Sequence, residues 1–331
     1  MGGGTIKKYS LLLCVILSFQ LIMGSCSMGF PAENIEHQDA IERLEEEKIS
    51  KSLHADAPVL IYSEYDMLLQ KAEELAEEDT PAAADLVREY ENEIRRRANL
   101  PQETLLQYGY SEDEITLLKA YIAGELSFEE IAPLTAADLE ANLRATMRSA
   151  ERYALRYDWE WDKVPVGLGE DGVALAYYGL DANNDTFNIR LADYVSVVNY
   201  YTMGNEFKEF DEGKVDLVWD NLSTTFDSYK LDETGYEWVW AKNGYMIAMI
   251  EPATPGTDEF NAVRVQASYG HSTAKDTLLQ ISFNVSVLNG LLDIGFSVGS
   301  GGEVVEYGTK QCYFYLDGST HTEIGYWRNR T

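Results

Sequence analysis

Between Tyr153 and Asp162 the chain alternates without a break, with Tyr153, Leu155, Tyr157, Trp159 and Trp161 on one side and Ala154, Arg156, Asp158, Glu160 and Asp162 on the other. Successive side chains of a strand point to opposite faces, so this segment reads as an amphipathic β-strand with an aromatic face and a charged face. Upstream the apolar residues recur at helical spacing. Downstream they alternate or come in short bursts between turns. The hydrophobic period therefore changes from 3.6 to 2 near residue 153, and the expected fold class is α+β: an N-terminal α-helical half followed by an antiparallel β-sandwich or barrel.

Bulk composition narrows the classes of function. A chain of 331 residues, 45% of them hydrophobic, can bury one large core or two ordinary ones. Its 56 acidic against 26 basic residues leave a formal charge of -30, spread over both parts of the chain. Such a surface repels phosphate backbones and anionic headgroups, so nucleic acid is not an expected partner.

The first residues read as an address. Lys7 and Lys8 precede an apolar run from Leu11 to Met23, then come Gly24, Ser25 and Cys26, and no acidic residue occurs before Glu33. The run is shorter than the ~20 residues of a spanning helix, and its positive flank and small-residue end are those of an export signal covering residues 1–25. Met23-Gly24-Ser25-Cys26 resembles the lipobox of bacterial lipoproteins, although Met23 stands where leucine is commoner. The resemblance implies lipidation of Cys26, a membrane partner through that N-terminal anchor, and a place on the outer face of a bacterial cell membrane. Cleavage by an ordinary signal peptidase is the alternative. It would release a secreted chain and leave Cys26 able to pair with Cys312.

Residues 26–57 read as a tether and a charged helix, with Ile41, Leu44 and Ile49 as sparse apolar points. Residues 58–152 read as a helical bundle. Leu68, Ala72 and Leu75 share a face, and Thr80-Pro81 offers a cap and a first-position proline for a helix carrying Leu86, Tyr90 and Ile94. Arg95, Arg96 and Arg97 close that helix as cations at its negative end, not as a binding patch. Ser111 with Glu114 and Ser127 with Glu130 are capping boxes, and a looser one, Thr135 with Asp138, precedes a last helix with Leu139, Leu143 and Met147.

Residues 153–331 read as an antiparallel β domain. Val173 to Tyr178 is expected to pair with the opening strand across the loop Pro165 to Gly172. Asn243-Gly244 is the strongest two-residue turn signal, dividing Tyr236–Trp240 from Tyr245–Ile250. The W-x-W strand and a Tyr269-Gly270-His271 turn resemble exported proteins of Gram-positive bacteria.

Three features carry candidate chemistry. Trp159, Trp161, Trp238 and Trp240 form two W-x-W pairs, each on one face of a strand, which is either a ligand-stacking platform or core; the charged opposite face of the first pair favours core. Asp181, Asn183 and Asp185 have the D-x-N-x-D spacing of a calcium loop. Thr186 and Ala192 replace the glycine and glutamate of an EF-hand, so a polar turn is the plainer reading, with Ca2+ as the alternative and no other cofactor expected. From Gln280 to Gly299 two legs alternate apolar and uncharged polar residues around Asn289-Gly290, a pattern resembling the stem hairpin of β-pore-forming toxins and equally that of an ordinary half-buried hairpin. His37, His54, His271 and His321 are scattered and form no catalytic motif; His271 with His321 and a nearby carboxylate is a zinc alternative, and surface histidines are the plainer reading. The expected function is that of a surface-anchored lipoprotein binding a glycan or protein ligand outside the cell, without catalysis. A polysaccharide or cell-wall hydrolase and a membrane-active β-hairpin protein are the alternatives.

Overall fold

The alternation of Tyr153 to Asp162 is realised as a strand with neighbours on both sides, and the segment just before it, Asp138–Ser149, is strand as well. The computed structural model describes residues 53–323, apart from 58, 150, 168, 214, 219, 255, 257–258, 274–278, 287–290, 299–302 and 308–310. The signal, Cys26 and the tether and charged helix as far as residue 52 lie outside these residues, and the last part of that segment, Leu53–Asp56, is a strand rather than helix. Contacts divide the chain into residues 1–53 and 54–331.

Strands β1 (Leu53–Asp56) and β2 (Leu60–Ser63) lead into helices α1 (Glu64–Glu78), α2 (Thr80–Ala98), α3 (Gln102–Gln107), α4 (Glu112–Ala123) and α5 (Phe128–Thr135). Strands β3 (Asp138–Ser149), β4 (Arg152–Trp161), β5 (Glu170–Leu180), β6 (Thr186–Phe187), β7 (Ile189–Thr202) and β8 (Phe207–Glu212) follow. The remainder comprises β9 (Val215–Val218), β10 (Asn221–Asp227), β11 (Tyr229–Leu231), β12 (Trp238–Pro252), β13 (Ala262–Ser272), β14 (Leu279–Ser286), β15 (Leu291–Val298), β16 (Val304–Tyr307), β17 (Gln311–Tyr315) and β18 (Thr320–Glu323).

Among the described residues the strands form two large antiparallel sheets and one hairpin. The first runs β1-β3-β4-β12-β7-β8, with β2 on β3 and β11 on β12; the second runs β18-β17-β13-β5-β10-β9, with β16 on β13 and β6 on β5. One core joins them. Trp159 of β4 stacks on Phe226 of β10 at 5.3 Å and meets Tyr269 of β13 edge-on at 5.1 Å. Trp159 and Trp161 are thus buried between the sheets, each large aromatic removing far more apolar surface from water than an aliphatic side chain would.

The helices build a second core. Capping boxes start α4 at Ser111 and α5 at Ser127, and Gly124 ends α4 in the left-handed conformation. Asp79, not Thr80, caps α2, with its side chain accepting from the Ala82 amide. Leu86, Tyr90 and Ile94 lie four apart on one face of α2, and Phe128 packs against both Tyr90 and Tyr65.

Four expectations fail locally. Leu139, Leu143 and Met147 belong to strand β3 rather than to a helix, because a spacing of four satisfies both periods; Ala141 and Ala145 complete the buried alternate face. Strands β4 and β5 do not form a hairpin: the loop between them passes from one sheet to the other. Asn243-Gly244 lies inside β12, beside a register shift, and makes no turn. Tyr269-Gly270-His271 also continues a strand, β13.

Hairpin β14–β15 is laddered to neither large sheet. Its Leu292 and Ile294 pack with Ala174, Ala176 and Tyr178 on the outer face of β5. Gly172 and Gly270, opposite each other in register, keep the bed flat: a Cβ on Gly172 would lie 2.6 Å from Leu279 Cδ2, and one on Gly270 2.5 Å from the Phe296 ring. Covered on both faces, β5 is buried over almost its whole length.

Candidate functional site

The segment from Lys163 to Val166 carries the site, because it leaves sheet one, crosses the helices and enters sheet two with its polar backbone buried. A buried backbone group needs a partner, and here side chains supply most of them. Arg97, fully buried at the end of α2, donates to the carbonyls of Val164 at 2.7 Å and Pro165 at 2.6 Å, to Glu93 Oε1 at 2.9 Å and to the Tyr110 hydroxyl at 3.3 Å. The Val164 amide donates to the Tyr108 carbonyl, and Lys163 pairs with Glu114 of α4. The expectation that the three arginines only terminate a helix is thus corrected for Arg97; Arg95 and Arg96 face outward and pair with Glu91 and Glu93.

His271 grips the same loop from β13. Its Nε2 lies 2.7 Å from the Val166 carbonyl, and its Nδ1 2.7 Å from Asp171 Oδ1. A carbonyl can only accept, and Asp171 also accepts from Tyr269 at 2.5 Å through its other oxygen. Both ring nitrogens therefore carry protons. Burial opposes the charge, but Asp171, Glu64 and the Val166 carbonyl outweigh it and hold the imidazolium up to about pKa 9. The surface reading of His271 is corrected: alternation places it on the inward face of β13 with Val265, Ala267 and Tyr269. With no lone pair left, it has no capacity to act as a general base.

Glu64, the first residue of α1, accepts from the Val166 amide at 2.5 Å and from the Tyr90 hydroxyl at 3.2 Å. Burial pushes its carboxyl up to about pKa 7 against the pull of His271, Arg97 and these two donors. Glu64 and His271 lie on the wall of a cavity of about 180 Å³, together with Tyr90, Tyr307 and the apolar Leu68, Leu86 and Val305; Glu89 and Glu93 lie at its more exposed side. The Tyr307 hydroxyl is fully buried, has no hydrogen-bond partner, and is held protonated by its burial and by the charges of Glu64 and Asp171.

None of the candidate ligand or metal residues, the four tryptophans of the W-x-W pairs and Asp181, Asn183 and Asp185, lines this cavity. Trp240 is buried like Trp159 and Trp161, while Trp238 is 49% exposed and stacks on Tyr229 at 4.8 Å, beside the 92% exposed Tyr236. Asp181 turns Oδ1 onto the amides of Asn183 and Asp185, both at 2.8 Å, which makes the D-x-N-x-D segment a side-chain-closed turn. Among the described residues no group of three His, Cys, Asp or Glu side chains converges as metal ligands. Cys312 is buried on β17. The cavity residues come from α1, α2, the crossing loop, β13 and β16, so no local motif announces them. The one available signal is alternation along β13, which predicts an inward His271.

No protein-family model and no curated protein matches this sequence. Among solved structures, a pore-forming protein superposes with a TM-score of 0.27 at 9% identity over 57% of this chain and 90% of that one. The KRT10-binding region domain of the pneumococcal serine rich repeat protein PsrP gives 0.21 at 11% over 50% and 89%. AvmM, which catalyzes macrocyclization in alchivemycin A biosynthesis, gives 0.22 at 8% over 48% and 81%. At these scores none of the three likenesses carries an argument about fold or function.

Proposed function

We propose that this chain is an exported lipoprotein, anchored through Cys26 to the outer face of a bacterial membrane, whose helices and β-sandwich together bind a small ligand without catalysis. One observation carries the binding reading: the cavity combines apolar walls with a few converging polar groups, one of which, the Tyr307 hydroxyl, lacks a partner. The absence of catalysis is supported by the occupancy of His271, whose two nitrogens are fixed to Asp171 and Val166. A cavity of about 180 Å³ suits one small molecule, not a polysaccharide chain, which weighs against a hydrolase. A small-molecule library scanned by thermal unfolding tests the reading. Compounds that stabilise the wild type should lose their effect on Leu86→Phe, which fills part of the space; an unchanged effect in a folded L86F protein would move binding elsewhere.

The anchor has its own test. Radiolabelled palmitate should enter the wild-type chain and not Cys26→Ala, and equal labelling of both would end the lipoprotein reading.

A second reading, a membrane-active protein, is favoured by hairpin β14–β15, which makes no backbone ladder with either large sheet and presents Gln280, Ser282, Asp293 and Ser297 outward. Leakage of dye from anionic or neutral vesicles on adding the mature protein would support it, and intact vesicles would dismiss it.

A further inference from the structure

We infer that the cavity takes a small organic cation, a primary amine with an apolar body of about six to eight non-hydrogen atoms, its ammonium group held between the Glu64 carboxylate and the Tyr307 hydroxyl. This rests on the reading of the cavity as a ligand site and adds the ligand's chemistry.

Four observations converge on a cation. Glu64 is buried, lines the cavity and has no cationic side chain at ion-pair distance among the described residues, so its carboxylate lacks direct compensation. Each of its oxygens has accepted one hydrogen bond, from Val166 or Tyr90, and keeps a second lone pair. Tyr307, whose buried hydroxyl has no hydrogen-bond partner, is a lining residue of the same cavity. Tyr90 and Tyr307 also bring aromatic rings to the lining, and an ammonium is favoured beside an aromatic ring.

An anion has no comparable welcome. Arg97 and His271 are the cations nearest Glu64, and four of the five N–H groups of Arg97 and both of His271 are already committed to protein acceptors. Glu89 and Glu93 stand at the approach, and the whole chain carries -30. That field draws cations in and turns anions away. Leu68, Leu86 and Val305 then cover the apolar body, and a space near 150 Å³ already accommodates a six-membered ring.

The groups coupled to the charge of Glu64 are Tyr90 and Arg97 from α2, Tyr110, His271 from β13 and Tyr307 from β16. Of these, none but His271 titrates near its own range, and it stays protonated below about pH 9. An amine bound at Glu64 competes with a proton there, so affinity should rise between pH 6 and 8.

The test is a calorimetric titration of the mature protein at pH 8 with three probes of similar size and different charge: benzylammonium, benzyl alcohol and benzoate. Benzylammonium should bind at least about ten-fold tighter than the alcohol, with benzoate not binding. Glu64→Gln should abolish that preference. Should E64Q fail to fold, Tyr307→Phe serves: it removes a hydroxyl with no protein partner, so the fold should hold while benzylammonium affinity drops about three- to ten-fold. Equal binding of all three probes would overturn the cation claim and leave a ligand cavity standing. Binding of none would remove the cavity reading as well, and a flat pH profile with wild-type affinity in Y307F would show that the ammonium sits elsewhere.

Discussion

His271 carries two protons because both of its neighbours only accept, and this makes it a pH-sensitive fastener. An unfolded histidine titrates near 6.5 and the folded one near 9, so the native state binds the proton more tightly. Its stabilisation is complete below pH 6.5 and is lost as pH rises through 9. Glu64 acts in the same direction over a lower window: its folded pKa near 7 exceeds the unfolded 4.5, so its contribution is complete below pH 4.5 and lost as pH rises through 7. Stability measured by urea unfolding should therefore fall from pH 6.5 to 9 by up to about 3 kcal/mol, and His271→Gln should flatten that slope. A wild-type slope retained in H271Q would assign the titration to another group. Gly244 shows the limit of reading residues locally. Asparagine-glycine signals a turn, yet here the glycine is required mid-strand because a Cβ would lie 2.7 Å from Trp159 Cζ2 and against the Val197 carbonyl. Gly244→Ala should cost about 3 kcal/mol in the same unfolding assay, whereas a loss below about 1 kcal/mol would mean that the strand and indole give way easily.

At the scale of elements, what was legible depended on whether two periods coincided. Strand β4, with residues alternating at every position, was plain from its sequence, as were both capping boxes, since each of these signals is complete within a few neighbouring residues. Strand β3 was not, because Leu139, Leu143 and Met147 fit helix and strand alike and the deciding residues are two small alanines. The division of β4 and β5 between sheets was hidden for another reason: nothing in the loop says that buried side chains from α1, α2 and β13 will hold it. Hairpin β14–β15 was legible as a hairpin, but its seat is a property of Gly172, Ala174, Ala176 and Gly270 on other strands. Backbone groups of the hairpin are also held by Glu170, Glu306 and Gln311. Gly270→Val should lift the hairpin, seen as faster amide exchange at residues 279–298 with the two large sheets still protected. Unchanged exchange there would show that these side-chain grips, not the flat bed, hold it down.

For the whole molecule, helices and sheets meet through one buried polar seam. Arg97, Glu64 and His271 each take hold of the loop that passes between the sheets, and Glu64 and His271 also line the cavity. Position in space, not spacing in sequence, brings these groups together, which is why the tryptophan pairs and the aspartate loop drew attention while Glu64 and Tyr307 did not. The cavity is a ligand site only if a ligand enters it. Its most direct test is methyl NMR of the mature protein, titrated with benzylammonium and with benzyl alcohol. The expected result is that the methyl signals of Leu68, Leu86 and Val305 shift together and saturate. Shifts confined to the surroundings of Trp238, or none at all, would contradict it.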